Sequence, residues 1–272
     1  ISGGDGVRPD MPAILARKDK VVGILRGGLE KTCARLKVNL LQGCGEVVHA
    51  GLVRMHGRDG TIREIEGDRV VIATGSRCLD LPDLPVDHKR IINSDDALEL
   101  AAVPGRLVVA GGGVIGCELA FIFQALGSVV TVVERLDRIL PVPSIDADLS
   151  KLIQREMKKR RIGCELARTV RGVDASGPAL RVTLGPSPFV EEAAVPARPE
   201  GVLEADMVLV AVGRAPNTEA LGLSLAGVET DQRGWIRVNR RMETSAPGIY
   251  AIGDVLGPER IMLAHVAAME GM

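Results

Sequence analysis

Apolar and polar residues repeat along this chain with two different periods, and the changes of period mark out its elements. Residues 10–36 follow the helical spacing. Val21, Val22, Ile24, Leu25 and Leu29 fall on one face with Arg and Lys opposite, which predicts one or two helices. Short apolar or alternating runs follow at 37–41, 45–49, 51–55, 60–65 and 69–73, punctuated by Gly43, Gly45, Gly51, Gly57, Gly60 and Gly67. That pattern predicts strands forming a small antiparallel meander. Pro82 and Pro85 then interrupt the chain and place a domain boundary there, so residues 1–82 form a first region.

The second region, 83–215, alternates strands with helices. Residues 106–110 are an apolar run of buried-strand type, and a glycine loop follows at 111–116. Residues 114–126 carry helical periodicity, and 128–133 form a second strand. A charged amphipathic helix is expected at 147–161, a strand at 163–168 and weaker strands over 169–184. The Pro- and Ala-rich stretch 185–200 reads as a loop between hairpin strands, and 205–212 as another buried strand. Strand–helix–strand alternation argues for a parallel sheet with helices on both faces. The remaining region, 216–272, is loop-rich up to a strand at 248–252, and a helix is expected to begin at 261.

Composition narrows the function classes. The 272 residues suffice for two domains, and 46% apolar with 25% charged residues is ordinary for a soluble globular protein. The formal net charge is −1, so no basic field draws the chain to nucleic acid or to an anionic membrane. Aromatic residues make up only 2%, too few for base-stacking platforms. No apolar run reaches the roughly 18–20 residues that span a bilayer. Residues 1–6 lack the features of a secretory signal. The five cysteines, Cys33, Cys44, Cys78, Cys117 and Cys164, form no CxxC and no metal-ligand spacing. They read as free thiols of a reducing compartment, which points to the cytoplasm, and no metal site is expected.

Candidate chemistry begins at the glycine loop. Gly111, Gly112, Gly113, Val114, Ile115 and Gly116 match GxGxxG, directly after a predicted strand and at the opening of a predicted helix. In such a loop the first glycine makes the tight turn, the second lets a pyrophosphate approach the backbone, and the third lets the helix pack on the sheet. The helix N-terminus adds free amides and a positive dipole end. Glu134 closes the second strand eighteen residues after Gly116. An acid there accepts hydrogen bonds from the adenosine ribose and repels a 2′-phosphate, favouring NAD over NADP. The adjacent Arg135 pulls the other way, because an arginine pairs well with phosphate.

A second constellation lies near the C-terminal end. The stretch 244–254 delivers Asp254 to the tip of a buried strand just past Gly253, where a carboxylate suits a polyol. Met262, Leu263, Ala264 and His265 open the helix that follows, whose dipole favours a negatively charged ligand.

With these residues in order, the chain resembles the flavoprotein disulfide reductases, most closely those of dihydrolipoyl dehydrogenase type. The resemblance covers nearly the whole chain. It rests on Ala73-Thr74-Gly75-Ser76, the glycine loop with Glu118 and Glu134, Val212-Gly213-Arg214-Ala215-Pro216-Asn217, Ile252-Gly253-Asp254 and Met262-Leu263-Ala264-His265. It implies a three-layer, Rossmann-like FAD/NAD(P)-binding α/β fold: a parallel sheet with an antiparallel meander. It implies that 1–82 is part of an FAD-binding domain, 83–215 the NAD-binding domain, and 216–272 a return to the flavin side. Residues 111–116 with Cys117, Glu118, Glu134, Val170 and Gly213 would contact NAD. Gly45, Thr74, Gly75 and Ser76 would touch FAD. Asp254 would hold the ribityl chain, and Met262, Leu263, Ala264 and His265 would face the pyrimidine side of the flavin ring. The implied partner is a lipoyl-bearing 2-oxo acid dehydrogenase complex. Mercuric reductase, soluble transhydrogenase and NADH oxidase share most of the same motifs.

Several family features are missing from these 272 residues. No second GxGxxG precedes residue 75, no cysteine pair is spaced CxxxxC, and His265 does not match the family's acid–base histidine. No catalytic residue is therefore assigned. These gaps imply a piece of a longer protein without its dimerisation domain, binding NAD(H) but inactive alone. The meander of the first region is expected to lack its supporting sheet and to be partly disordered.

Overall fold

The computed structural model describes residues 9–190 and 200–272. The chain begins with helix α1 (Met11–Arg35), followed by β1 (Cys44–His49), β2 (Leu52–His56), β3 (Ile62–Glu66), β4 (Val70–Ile72) and β5 (Ser76–Cys78). Next come β6 (Ile91–Ile92), α2 (Ser94–Ala97), β7 (Arg106–Ala110), α3 (Val114–Ala125), β8 (Val129–Glu134) and α4 (Ala147–Lys159). Strands β9 (Gly163–Leu166), β10 (Arg168–Asp174), β11 (Leu180–Pro186), β12 (Gly201–Ala205) and β13 (Met207–Val210) follow. The chain closes with β14 (Arg214–Pro216), β15 (Ile249–Ala251), a 3₁₀ turn (Gly253–Leu256) and α5 (Ala264–Glu270).

Two compact units divide these elements, and the first comprises Ile1–Arg26 and Cys78–Gly213. Its centre is a parallel sheet of order β6-β13-β7-β8-β9. Side chains alternate across it with the strand period of two. Leu107, Val109, Val130, Val132 and Leu209 turn toward Cys117, Leu119, Ala120 and Phe123 of α3 and Met157 of α4. Val108, Ala110, Val133, Val208 and Val210 turn the opposite way, onto Leu180, Val182, Leu184 and Ala205. Those residues belong to the antiparallel sheet β10-β11-β12 and its end. Both faces of the parallel sheet are covered, which is why its strands read as unbroken apolar runs.

The expectation of helices on both faces is corrected here. Helices cover one face, and a β-meander covers the other. An apolar run shows that a strand is buried on both sides without showing what buries it. The expected 185–200 loop starts after β11 ends at Pro186, and its residues 191–199 lie outside the described residues.

The second unit comprises Gly27–Arg77 and Arg214–Met272. Strands β1, β2 and β3 form the expected antiparallel meander. Two details differ from expectation. Residues 37–41 form no strand, and Leu40 and Leu41 are exposed. The run at 69–73 supplies β4, which leaves the meander and pairs in parallel with β15, Val70 opposite Ile249 and Ile72 opposite Ala251. Nor does the meander lack support. Val47, on β1, is buried in one cluster with Val70, Ile72, Ile249 and Ala251, and its amide donates to the Leu221 carbonyl at 2.8 Å. The partners of β4 and β1 come from the far end of the sequence, so local spacing does not announce them.

Helix α1 forms as a single helix, and its residues divide between the units at Arg26 and Gly27. Met11 is its one buried residue, whereas Ile24, Leu25 and Leu29 are 63%, 64% and 70% exposed. The predicted apolar face thus exists and points to solvent.

One substitution placed at two sites measures this contrast. Leu209 is fully buried in the parallel sheet, and Leu209→Ala should cost about 2–5 kcal/mol in urea denaturation. Leu29→Ala should change stability by less than about 0.5 kcal/mol.

Candidate functional site

The chain leaves β7 at Ala110 and turns through Gly111, whose φ of 111° lies in the left-handed region that glycine tolerates. A Cβ on Gly111 would sit 2.2 Å from the Ala211 carbonyl oxygen, and one on Gly116 would sit 2.0 Å from the Gly111 carbonyl oxygen. Backbone occupies the place of a side chain at both positions. Gly113 is different. Its φ is −73°, and a Cβ there would meet nothing within 4 Å. The fold itself therefore requires Gly111 and Gly116, while Gly113 leaves open room beside the backbone.

That room lies at the start of α3. The first amides of a helix have no carbonyl one turn back, so those of Val114, Ile115 and Gly116 are available to an anion. Glu134 stands behind the loop, only 5% exposed. It accepts from the Gly112 amide at 2.6 Å and from the Leu136 amide at 2.9 Å, one bond on each carboxylate oxygen. Each oxygen keeps capacity for a further donor. The Gly112 carbonyl accepts from the Leu140 amide at 2.7 Å and from the Cys117 thiol at 3.3 Å. Burial pushes the Cys117 thiol up to about 12, with the Cys164 sulfur adding to the effect, so the group stays a neutral donor.

Arg135, one residue past the acid, turns elsewhere. Its guanidinium lies 4.6 Å from the centre of the Phe189 ring. Of the other expected contacts, Gly213 (φ 143°) follows the Ala211 segment that abuts Gly111, and its carbonyl accepts from Leu79. Glu118 is exposed on α3, and Val170 sits half-buried on β10 among the residues packed under the second sheet face.

The residues expected to face a flavin belong to the second unit. Thr74 and Asn217 tie two segments together. The Thr74 hydroxyl donates to the Asn217 carbonyl at 2.8 Å, and the Asn217 side-chain amide donates to the Thr74 carbonyl at 2.9 Å. The Gly75 carbonyl accepts from the Asn217 backbone amide at 3.0 Å. The Ser76 hydroxyl donates to Asp254 at 2.9 Å and accepts from Arg214 Nε at 2.6 Å. Asp254 lies on the 3₁₀ turn after β15, and its second oxygen accepts no hydrogen bond among the described residues, which suits a ligand hydroxyl. Gly45 is exposed on β1 opposite Met55. Met262 is half-buried, while Leu263, Ala264 and His265 are exposed at the start of α5.

Two contributors had no role assigned from sequence. Arg214 stood inside a quoted motif, and its position beside Gly213 was the available signal. Glu270 accepts from the Gly253 amide at 2.7 Å and pairs with Arg260 at 3.2 Å. No local pattern marks it.

A family profile described as pyridine nucleotide-disulphide oxidoreductase matches residues 4–271. The chain is 40% identical over 263 residues to leghemoglobin reductase of Glycine max, covering 96% of this chain and 48% of that protein. It is 39% identical over 267 residues to mitochondrial dihydrolipoyl dehydrogenase of Pisum sativum, covering 98% and 51%. Among solved structures, LpdA from Mycobacterium tuberculosis aligns with a TM-score of 0.84 at 29% identity, covering 97% of this chain and 55% of that one. The flavoprotein disulfide reductase RclA from Escherichia coli aligns with a TM-score of 0.80 at 27% identity, covering 97% and 56%. The chain spans about half the length of the curated relatives it matches.

The thiols offer a direct check on the loop. With a thiol reagent at pH 8, the exposed Cys44 should react within minutes, while Cys117 should stay unmodified until the protein is unfolded with urea. Rapid labelling of Cys117 in the folded chain would contradict its place under the loop.

Proposed function

Because the chain belongs to the pyridine nucleotide-disulphide oxidoreductase family, we propose that it carries the NAD(H) site of an NAD- and FAD-linked enzyme of dihydrolipoyl dehydrogenase type. In the whole enzyme a dihydrolipoyl group is oxidised to the lipoyl disulfide, NAD⁺ is reduced to NADH, and a proton is released. The partner on this reading is a lipoyl-bearing 2-oxo acid dehydrogenase complex. Residues 83–215 are assigned as the NAD-binding domain, and 1–82 and 216–272 as its flavin-side regions.

The observation that carries the reading is the open space at Gly113, set between free helix amides and a buried acid. A dinucleotide pyrophosphate would take the amides of α3, and its adenosine ribose would donate to Glu134. Glu118, Val170 and Gly213 complete the NAD-side assignment. NAD is favoured over NADP because Glu134 would repel a 2′-phosphate while Arg135 is held against Phe189. The nicotinamide supplies hydride chemistry when bound, and this chain's residues hold and orient it.

For FAD, Asp254 would take the ribityl hydroxyls, supported by its uncommitted oxygen. Gly45, Thr74, Gly75, Ser76 and residues 262–265 are assigned to the same cofactor. The chain has one glycine loop, so it offers no second cradle of that kind for the flavin pyrophosphate.

A specific observation favours a second reading, in which the chain alone is a non-catalytic NAD(H)-binding module. These 272 residues contain no CxxxxC pair to take electrons from a dihydrolipoyl group and pass them to a flavin. Among the described residues, no helix is long and apolar enough to cross a membrane. We place the protein in the cytoplasm on the strength of its five unpaired cysteines.

Calorimetric titration with NADH and NADPH tests the site. NADH should bind more tightly, and tighter binding of NADPH would overturn the role given to Glu134. Glu134→Ala should weaken NADH binding by about 1–3 kcal/mol. Gly113→Ala should leave the melting temperature unchanged yet weaken NADH binding at least tenfold, whereas Gly116→Ala should lower the melting temperature. Equal NADH binding by wild type and Gly113→Ala would remove the pyrophosphate from that position.

A further inference from the structure

Two opposite charges stand side by side where β8 ends. Glu134 is the acid that suits a ribose diol, and Arg135 is the cation next to it. An arginine at this point of a dinucleotide fold can accommodate a 2′-phosphate. Its planar fork matches phosphate oxygens with paired hydrogen bonds. Arg135 is exposed, and it makes no hydrogen bond and no ion pair among the described residues. Its one partner there is an aromatic ring: the guanidinium carbon lies 4.6 Å from the centre of Phe189.

The place of that ring is set by the backbone and not by burial. Phe189 is 59% exposed and belongs to none of the hydrophobic clusters. A file of hydrogen bonds instead leads to it from Glu134. The acid accepts from the Leu136 amide at 2.9 Å, and the Leu136 carbonyl accepts from the Ala167 amide at 2.8 Å. The Ala167 carbonyl accepts from the Ser187 amide at 3.0 Å, and the Ser187 hydroxyl accepts from the Phe189 amide at 3.2 Å. Ala167 is the corner between β9 and β10, with φ 53°. Ser187 is buried, and the preceding Pro186 carbonyl accepts from the Arg171 guanidinium of β10 at 2.9 Å. The end of β11 is thus tied to the end of β8, and Phe189 arrives beside Arg135 as a consequence.

We propose that Phe189 is a specificity-determining residue: its ring is a latch that holds the Arg135 guanidinium and so denies NADPH the cation that its 2′-phosphate needs. The latch rests on the assignment of the glycine loop as a dinucleotide site, and it acts at that same site. Glu134 disfavours the phosphate by like charge, and the latch withholds the charge that would offset this. The guanidinium has to leave the ring to form paired bonds with a phosphate, so the cost of breaking the contact falls on NADPH and not on NADH. For an exposed cation–ring contact that cost corresponds to about a two- to fivefold loss of affinity. Phe189 lies outside the glycine loop and its acid, and only the folded chain brings it to them.

The test is calorimetric titration of the whole chain with NADH, and with NADPH in competition against NADH so that weak binding is measured. In Phe189→Ala the ratio of NADPH to NADH affinity should rise about two- to fivefold over wild type. Phe189→Trp keeps an aromatic face and should show no rise. Adding Arg135→Gln to Phe189→Ala should abolish the gain. With no nucleotide present, the Arg135 Nε–H resonance should move in Phe189→Leu, which keeps an apolar side chain and removes the ring. An unchanged ratio in Phe189→Ala overturns the latch while leaving the NADH site in place. A gain that survives Arg135→Gln overturns it too, because the ring then acts by bulk and not through the arginine. If wild type binds neither dinucleotide, the dinucleotide site falls and the latch falls with it.

Discussion

The carbonyl oxygen of Gly111 occupies the place where a side chain on residue 116 would have to be, and much of the first unit follows from that close approach. It sets α3 hard against the end of β7, with the first turn of the helix beside the loop. The same helix then buries Cys117, Leu119, Ala120 and Phe123 on the sheet. Those side chains meet the odd-numbered residues of β7, Leu107 and Val109, so the register of the sheet and the start of the helix are settled together. A larger residue at either glycine would have to move backbone rather than a flexible side chain.

Electrostatics completes what packing begins. A nearly buried carboxylate is costly unless hydrogen bonds satisfy it, and two backbone amides do this for Glu134. The acid is therefore held in place before any ligand arrives, and the loop is held by the acid. Cys117 contributes because it stays protonated: a thiolate could not donate to the Gly112 carbonyl. Adjacent strand-end residues point apart, which separates the charge of Arg135 from that of Glu134 and leaves the arginine against Phe189.

In the second unit a different device fixes the candidate residues. Ser76 accepts from Arg214 and donates to Asp254, so one hydroxyl links a cation to a carboxylate. The Thr74–Asn217 pair pins the preceding residues by reciprocal bonds. Residues that are far apart in the chain become one surface through these few contacts. The loop-side and flavin-side sets each stay within a single unit.

The sequence alone settled the features that depend on neighbours in the chain. The strand–loop–helix at 106–125 was legible because the glycines, the helical period and Glu134 all fall within one local unit. The same holds for α4 and for the β1-β2-β3 meander, whose turns are marked by glycine. Tertiary structure alone decided the rest. It decided that a β-meander rather than a helix layer covers the second face of the parallel sheet, because Val108 and Val208 are equally apolar against either. It took β4 out of the meander and paired it with β15, because a three-residue strand carries too little pattern to name a distant partner. It left the apolar face of α1 in solvent, although the periodicity that predicts such a face normally implies a cover. It also drew Arg214 and Glu270 into the candidate site and stacked Arg135 on Phe189. Sequence periodicity reports which way a residue points within its own element, and only the folded chain determines what stands opposite.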